Sequence, residues 1–289
     1  MTRRTFLATA VTPPLLAAEP LIIDIHQHTA YSGRSNEELI QHQRDMGVSR
    51  TVLLPAGRAY SLAVGAGGND SVVALARQYP KEYVFFANEL PDIPETKTVL
   101  EKYLNMGAIG IGEQKFYLDC DSKYIDLIAD IAAHYQVPVL QHFEFGTYNL
   151  GFEKFYKVLE RHPKVNFIGH AQTFWGNIDK NLDQKVLYPK TKVTPGGLTD
   201  RWLSDYPNLY ADMSAGSGLN ALLRDEDNAR QFLQRHQDKL IYGSDCNDRK
   251  AGSAKCTGLK QIETIKRLSA TPAIAGKIFN KNARKVMNV

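Results

Sequence analysis

Two histidines two places apart, His26 and His28, close a short apolar run, Leu21-Ile22-Ile23-Asp24-Ile25. Such β-branched runs read as buried strands. Side chains alternate along a strand, so both imidazoles point the same way, about 7 Å apart at Cα. Two imidazoles on one face at a strand end can hold a single transition metal. Three later runs answer them. His142 ends Val137-Pro138-Val139-Leu140-Gln141, His170 ends Val165-Asn166-Phe167-Ile168-Gly169, and Asp245 ends Leu240-Ile241-Tyr242-Gly243-Ser244. Neutral imidazoles and one carboxylate suit Zn²⁺ and related divalent ions. Such an ion lowers the pKa of a bound water toward about 7 and so makes hydroxide available near neutrality. Asp245 can ligate the ion and accept the water's proton, or hold the water in line for attack. His170 can ligate, or polarise a substrate and shuttle a proton. His42, His134, His162 and His236 fall inside or at the ends of helical stretches and read as solvated or capping residues.

The elements that must position these groups alternate regularly. Further strands are predicted over 50–54, 83–87, 108–114 and 209–213, and helices over 35–46, 70–78, 94–105, 122–135, 151–161, 227–236, 258–268 and 272–286. Ser35 is the predicted N-cap of the first helix, with Glu37 and Glu38 in its first turn. An insert from His170 to about residue 207 is too long for a plain connection and should hold a helix over 198–205 plus an active-site lid. Eight strands, each followed by helical sequence, predict a single-domain (β/α)8 barrel, in which strand ends of one sense ring one pocket. An open doubly wound sheet is the alternative, but no G-x-G-x-x-G run follows the first strand.

The 289 residues carry 35 basic and 31 acidic side chains, intermixed, for a net charge of +4. No basic block suggests nucleic acid. Cys120, Cys246 and Cys256 show no metal-type spacing, and Cys246 reads as a packing residue. Residues 1–18 begin with Arg3-Arg4 and continue in a mildly apolar run interrupted by Pro13 and Pro14. They resemble a twin-arginine export signal rather than a membrane span, which predicts a periplasmic or secreted enzyme comprising residues 19–289.

The ordered motifs resemble the amidohydrolase superfamily, in particular its amidohydrolase-related (amidohydrolase 2) branch of metal-dependent hydrolases and decarboxylases. They are Ile-Asp-Ile-His-Gln-His at 23–28, Pro-Val-Leu-Gln-His at 138–142, Phe-Ile-Gly-His-Ala at 167–171, Leu-Tyr-Ala-Asp-Met-Ser at 209–214, Tyr-Gly-Ser-Asp-Cys at 242–246 and Ile-Phe-Asn-Lys-Asn-Ala-Arg-Lys at 278–285. The resemblance implies a deformed TIM barrel with one divalent metal, zinc foremost, or two. It implies His26, His28, His142 and Asp245 as ligands, with His170 as a ligand or the catalytic histidine. In Gly110-Ile111-Gly112-Glu113-Gln114-Lys115, Glu113 and Lys115 share a face. The resemblance places Glu113 at or beside the metal and Lys115 against a substrate carboxylate, or either one as a bridge between two metals.

On the substrate side, Arg58 is a candidate carboxylate clamp, and Tyr31, Tyr60, Phe143, Phe174 and Trp175 can wall a ring-sized molecule. Asn88 and Glu144 can contact polar groups. The expectation is a small-molecule hydrolase acting on an amide, ester or lactone, with Asp245 and His170 moving protons. The alternatives are a non-oxidative decarboxylase of a small aromatic acid, built on the same ligands, and a non-catalytic metabolite-binding barrel.

Overall fold

Strand β1 (Ile22–Gln27) leads through α1 (Asn36–Asp45), β2 (Val48–Leu53) and α2 (Asn69–Gln78) to β3 (Tyr83–Phe85), and the three strands form a parallel sheet in chain order. These elements belong to a computed structural model that describes residues 21–56 and 65–289. Arg58, Tyr60 and the twin-arginine stretch lie outside the described residues. Ser35 caps α1 as expected: it receives the Glu38 N–H at 3.2 Å on its hydroxyl, while its own N–H donates to the Glu38 carboxylate at 2.9 Å.

After α3 (Thr96–Asn105) a second parallel sheet begins with β4 (Ile111–Gln114). It continues through α4 (Lys123–Tyr135), β5 (Val139–His142), α5 (Tyr156–Arg161) and β6 (Phe167–His170). The chain then runs through α6 (Ala171–Gly176) and α7 (Leu198–Asp205) into β7 (Leu209–Asp212). Next come α8 (Ala215–Leu223), α9 (Glu226–Arg235), β8 (Leu240–Ile241) and α10 (Thr257–Leu268). Two short helices, α11 (Pro272–Gly276) and α12 (Asn282–Val286), close the chain around a π-helical turn at 277–281.

Backbone hydrogen bonds cross both gaps between the sheets. On one side Ala87 N–H donates to Gly110 O and Gly112 N–H to Ala87 O, both at 2.9 Å. On the other, Ile25 N–H donates to Tyr242 O at 3.2 Å and Asp245 N–H to His26 O at 2.9 Å. No regular ladder spans either seam among the described residues. The result is a deformed (β/α)8 barrel. Strand alternation divides its core. Val52, Leu54, Leu140 and Ile168 join Ile23, Ile25 and Phe86 in one buried cluster, whereas Leu53, Val139 and Phe167 belong to the layer shared with the helices.

The structure departs from the expectations in three places. Strand β8 stops at Ile241, because Tyr242 and Ser244 turn their N–H groups to Ile278 O and the Asp24 carboxylate instead of a neighbouring strand. Helices α6 and α8 were not anticipated; α8 opens Ala-Gly-Ser-Gly, a composition that reads as a loop. His42 is buried within α1 rather than solvated or capping, whereas His236, also buried, does cap the C-terminus of α9.

His236 belongs to a cluster that ties α7 to α9. Asp200 receives the Gly196 N–H at 2.9 Å, Arg235 Nη2 at 2.9 Å and His236 Nε2 at 2.7 Å. Burial pushes the Asp200 pKa up, but these partners outweigh it and hold the carboxyl below its ordinary 3.8. The unfolded chain therefore takes up this proton first as pH falls, and the stabilisation is full above that value and fades through the lower folded pKa. Asp200→Ala should lower the unfolding free energy by about 1–3 kcal/mol at neutral pH in a urea titration. The gap from wild type should narrow below the ordinary carboxylate value.

Candidate metal centre

His26 and His28 converge at the end of β1 with their Nε2 atoms 3.2 Å apart. Their other ring nitrogens determine how they face the pocket. His28 Nδ1 lies 2.8 Å from Leu54 O, and a carbonyl only accepts, so the proton sits on Nδ1 and Nε2 presents a lone pair. His26 Nδ1 lies 2.6 Å from Asp212 Oδ2, the carboxylate–histidine arrangement that orients metal ligands. Asp245 Oδ1 stands 3.8 and 3.5 Å from the two Nε2 atoms, and Glu113 Oε2 stands 3.5 and 3.7 Å from them. Nitrogen and oxygen ligands held tetrahedrally at about 2.0–2.2 Å from one ion are about 3.4 Å from each other. The observed separations suit such a polyhedron. Asp245 Oδ1 is also buried without a hydrogen-bond partner among the described residues, although a carboxylate oxygen is costly to leave so. The residues present therefore fit a divalent ion.

The electrostatics agree. Burial works against charge on His26, but Asp245, Asp212 and Glu113 outweigh it and raise its pKa well above the ordinary value. Burial likewise opposes charge on Asp245, yet His26 and His28 hold that carboxyl below the usual range. Glu113 is held well below its ordinary value by His142, His26 and Lys115 against its burial. The carboxylates thus draw positive charge to one point, where a metal can replace the histidine proton. His170 behaves differently. Burial dominates and lowers its pKa to about 4, so it is neutral near pH 7. Its Nδ1 faces Ser214 Oγ at 3.0 Å and Asp212 Oδ2 at 3.3 Å, which leaves Nε2 turned toward Glu113 and Asp245 at 3.8 and 3.9 Å.

Of the expected site residues, His26, His28, His170, Glu113 and Asp245 are brought together. His142 stands one step back: Nδ1 lies 2.5 Å from Glu113 Oε1 and Nε2 lies 3.3 Å from Glu144 Oε2, so both ring nitrogens are taken by carboxylates and it braces Glu113. Lys115 is near the pocket, its Nζ 5.3 Å from the centre of the Tyr148 ring. Burial opposes its charge, but Glu113 and Asp245 keep the ammonium above its ordinary pKa. Phe143 and Phe174 stack within the core and do not wall the pocket, and neither does Trp175. It is buried in the core against Phe174 and Phe232, and its indole N–H donates to Asp212 O at 2.9 Å. Asn88 is also internal, its amide donating to Pro55 O at 3.0 Å and Glu113 O at 2.8 Å. Glu144 borders a cleft of ≈ 270 Å³ that Phe145, Thr173 and Gln184 also line.

Two residues at the centre were absent from the expected set, Asp212 and Ser214. Asp212 is the last residue of β7, so the strand-end rule that found the histidines also points to it. Tyr31 packs edge-on to His28, with ring centres 4.9 Å apart. Gly243 belongs here for lack of space, since a Cβ would stand 2.4 Å from Asp212 Oδ1. Asp212→Asn should weaken divalent-metal binding about 10–100-fold in a chelator competition while the far-ultraviolet circular dichroism spectrum is retained. Gly243→Ala should weaken it too, by displacing the same carboxylate.

Several solved structures share this architecture. An uncharacterized TIM-barrel protein from Bordetella bronchiseptica superposes with a TM-score of 0.65 at 15% identity, covering 92% of this chain and 97% of its own. A probable 2-pyrone-4,6-dicarboxylic acid hydrolase from Acinetobacter baumannii, with citric acid bound, gives 0.61 at 14% identity, covering 92% and 98%. A 5-carboxyvanillate decarboxylase from Novosphingobium aromaticivorans, complexed with manganese and 4-hydroxy-3-methoxy-5-nitrobenzoic acid, gives 0.54 at 13% identity, covering 88% and 80%. No curated protein matches the chain in sequence. The sequence profile described as Amidohydrolase matches residues 23–289, a span that takes in every side chain at the barrel mouth. On that match, this chain belongs to the amidohydrolase family.

Proposed function

We propose that the chain is a metal-dependent hydrolase that uses water to attack an amide, ester or lactone carbonyl of a small molecule. The observation that carries this reading is the division of Asp245. Its Oδ1 faces His26 and His28, while Oδ2 lies 3.9 Å from His170 Nε2. A divalent ion, zinc foremost for this donor set, would be held by His26, His28, Asp245 and Glu113 and would supply Lewis acidity and an acidified water. Asp245 Oδ2 takes the water's proton and returns it to the leaving group. His170, unprotonated near neutrality, accepts a hydrogen bond at Nε2 and orients the attacking water. Lys115, kept charged beside Glu113, binds a substrate carboxylate.

Lys115 also supports a second reading, non-oxidative decarboxylation of a small aromatic acid. In that case Lys115 helps to hold the substrate carboxylate, Asp245 passes to the ring carbon a proton that it first takes from water in the pocket, and the carboxylate leaves as carbon dioxide. Incubating the zinc-loaded enzyme with a panel of lactones, esters, amides and hydroxybenzoates in ¹⁸O-labelled heavy water separates the two. The expected product carries solvent oxygen in a new carboxyl group. Carbon dioxide release with deuterium on carbon would replace hydrolysis by decarboxylation. Asp245→Asn should lower turnover of the accepted substrate by about 10²–10⁴-fold. A chain whose ligand binding persists with no turnover even in the wild type would be a metabolite-binding barrel instead.

A further inference from the structure

Between α1 and the segment after β8, four buried side chains that the barrel mouth does not use turn their heteroatoms toward one another. His42 lies on α1 and Met46 caps it, four residues apart and so on one helical face. Cys246 directly follows Asp245, and Cys256 is the N-cap of α10. Cys256 Sγ lies 3.7 Å from Cys246 Sγ, 3.4 Å from His42 Nε2 and 3.9 Å from Met46 Sδ. His42, Cys246 and Cys256 are all at most 2% exposed. We propose that this cluster is a second metal site, which takes one thiophilic ion, zinc or copper(I), between His42 Nε2 and the two cysteine sulfurs with Met46 alongside.

Three observations support it. Around a tetrahedral zinc, two sulfurs stand about 3.8 Å apart and a sulfur and a nitrogen about 3.5 Å apart, close to the spacings found. The donors, two thiols, an imidazole and a thioether, are those that soft ions select. The His42 ring is fully buried, yet Nδ1 has no hydrogen-bond partner among the described residues and Nε2 faces sulfur. Burying a polar ring in that way is unfavourable, and a bond from Nε2 to a metal would offset it. A disulfide would require the sulfurs to close to about 2.05 Å. The sequence interval hid the cluster, because the cysteines are 10 residues apart and His42 is 214 residues from Cys256. An ion here would tie α1 to the segment that carries Asp245. Arg34 Nη1 and Gln27 Nε2 already hold that segment through Cys246 O, at 2.9 and 3.0 Å.

The barrel mouth offers only nitrogen and oxygen donors, so sulfur ligation reports the second site alone. The full chain carrying His26→Ala and Asp245→Ala, prepared without oxygen, is titrated with cobalt(II) as a zinc probe and separately with copper(I). The expected result is one equivalent of at least one of them, with thiolate-to-metal charge-transfer absorption that Cys246→Ser or Cys256→Ser abolishes. Should the serine variants not fold, X-ray absorption at the zinc edge of the zinc-loaded wild type should show sulfur at about 2.3 Å. Absence of both the charge-transfer band and the sulfur shell would overturn the proposal. So would a Cys246–Cys256 disulfide in freshly purified protein.

Discussion

Three carboxylates converge on one buried imidazole at the mouth of this barrel. Asp212, Glu113 and Asp245 all reach the His26 ring within 3.8 Å, in a space from which water is nearly excluded. Burying an uncompensated carboxylate costs several kcal/mol, and three together cost more than their separate sum because they repel. Much of the surrounding structure supplies the compensation. His142 serves Glu113 from one side, Ser214 serves Asp212 from another, and the Asp245 N–H is anchored on His26 O. A divalent cation is the remaining partner that this arrangement calls for.

That constraint explains why the second rank of residues is as specific as the first. Asp212 and Ser214 touch His26 and His170 at once, so one side-chain pair sets the orientation of both rings. Trp175 supports Asp212 from behind through its carbonyl, and Gly243 leaves that carboxylate the room a Cβ would take. Asn88 ties the Glu113 backbone to the loop after β2 through Pro55 O. Each candidate ligand is thus positioned by residues from a different strand or its following loop. Such precision comes more readily from a barrel, where eight strand ends share one rim, than from a single loop.

Hydrolysis and decarboxylation ask nearly the same things of this machinery. In both readings the proposed machinery is a Lewis acid, a carboxylate that moves a proton, and a cation beside the substrate. His170 and Lys115 reach their charge states by opposite balances of the same forces: burial prevails at His170, and nearby carboxylates prevail at Lys115. Solved structures named as a probable hydrolase and as a decarboxylase share this fold, and fold alone does not choose between the two reactions.

The sequence by itself determined the alternation of strands and helices, the Ser35 cap, and the position of His26, His28, His142 and His170 at or just past strand ends, while Asp245 lies four residues beyond the end of β8. These are local facts, carried by hydrophobic period, capping chemistry and residue type. Tertiary structure alone decided what each group faces. His142 turned to Glu113 and Glu144, Trp175 went into the core, and Asp212 became the partner of His26 from 186 residues away. His42 and Cys256, unremarkable where they stand in the chain, meet across 214 residues. Local pattern shows which strand end a side chain occupies, but its partners depend on how the two sheets close into a ring, and no interval along the chain encodes that closure.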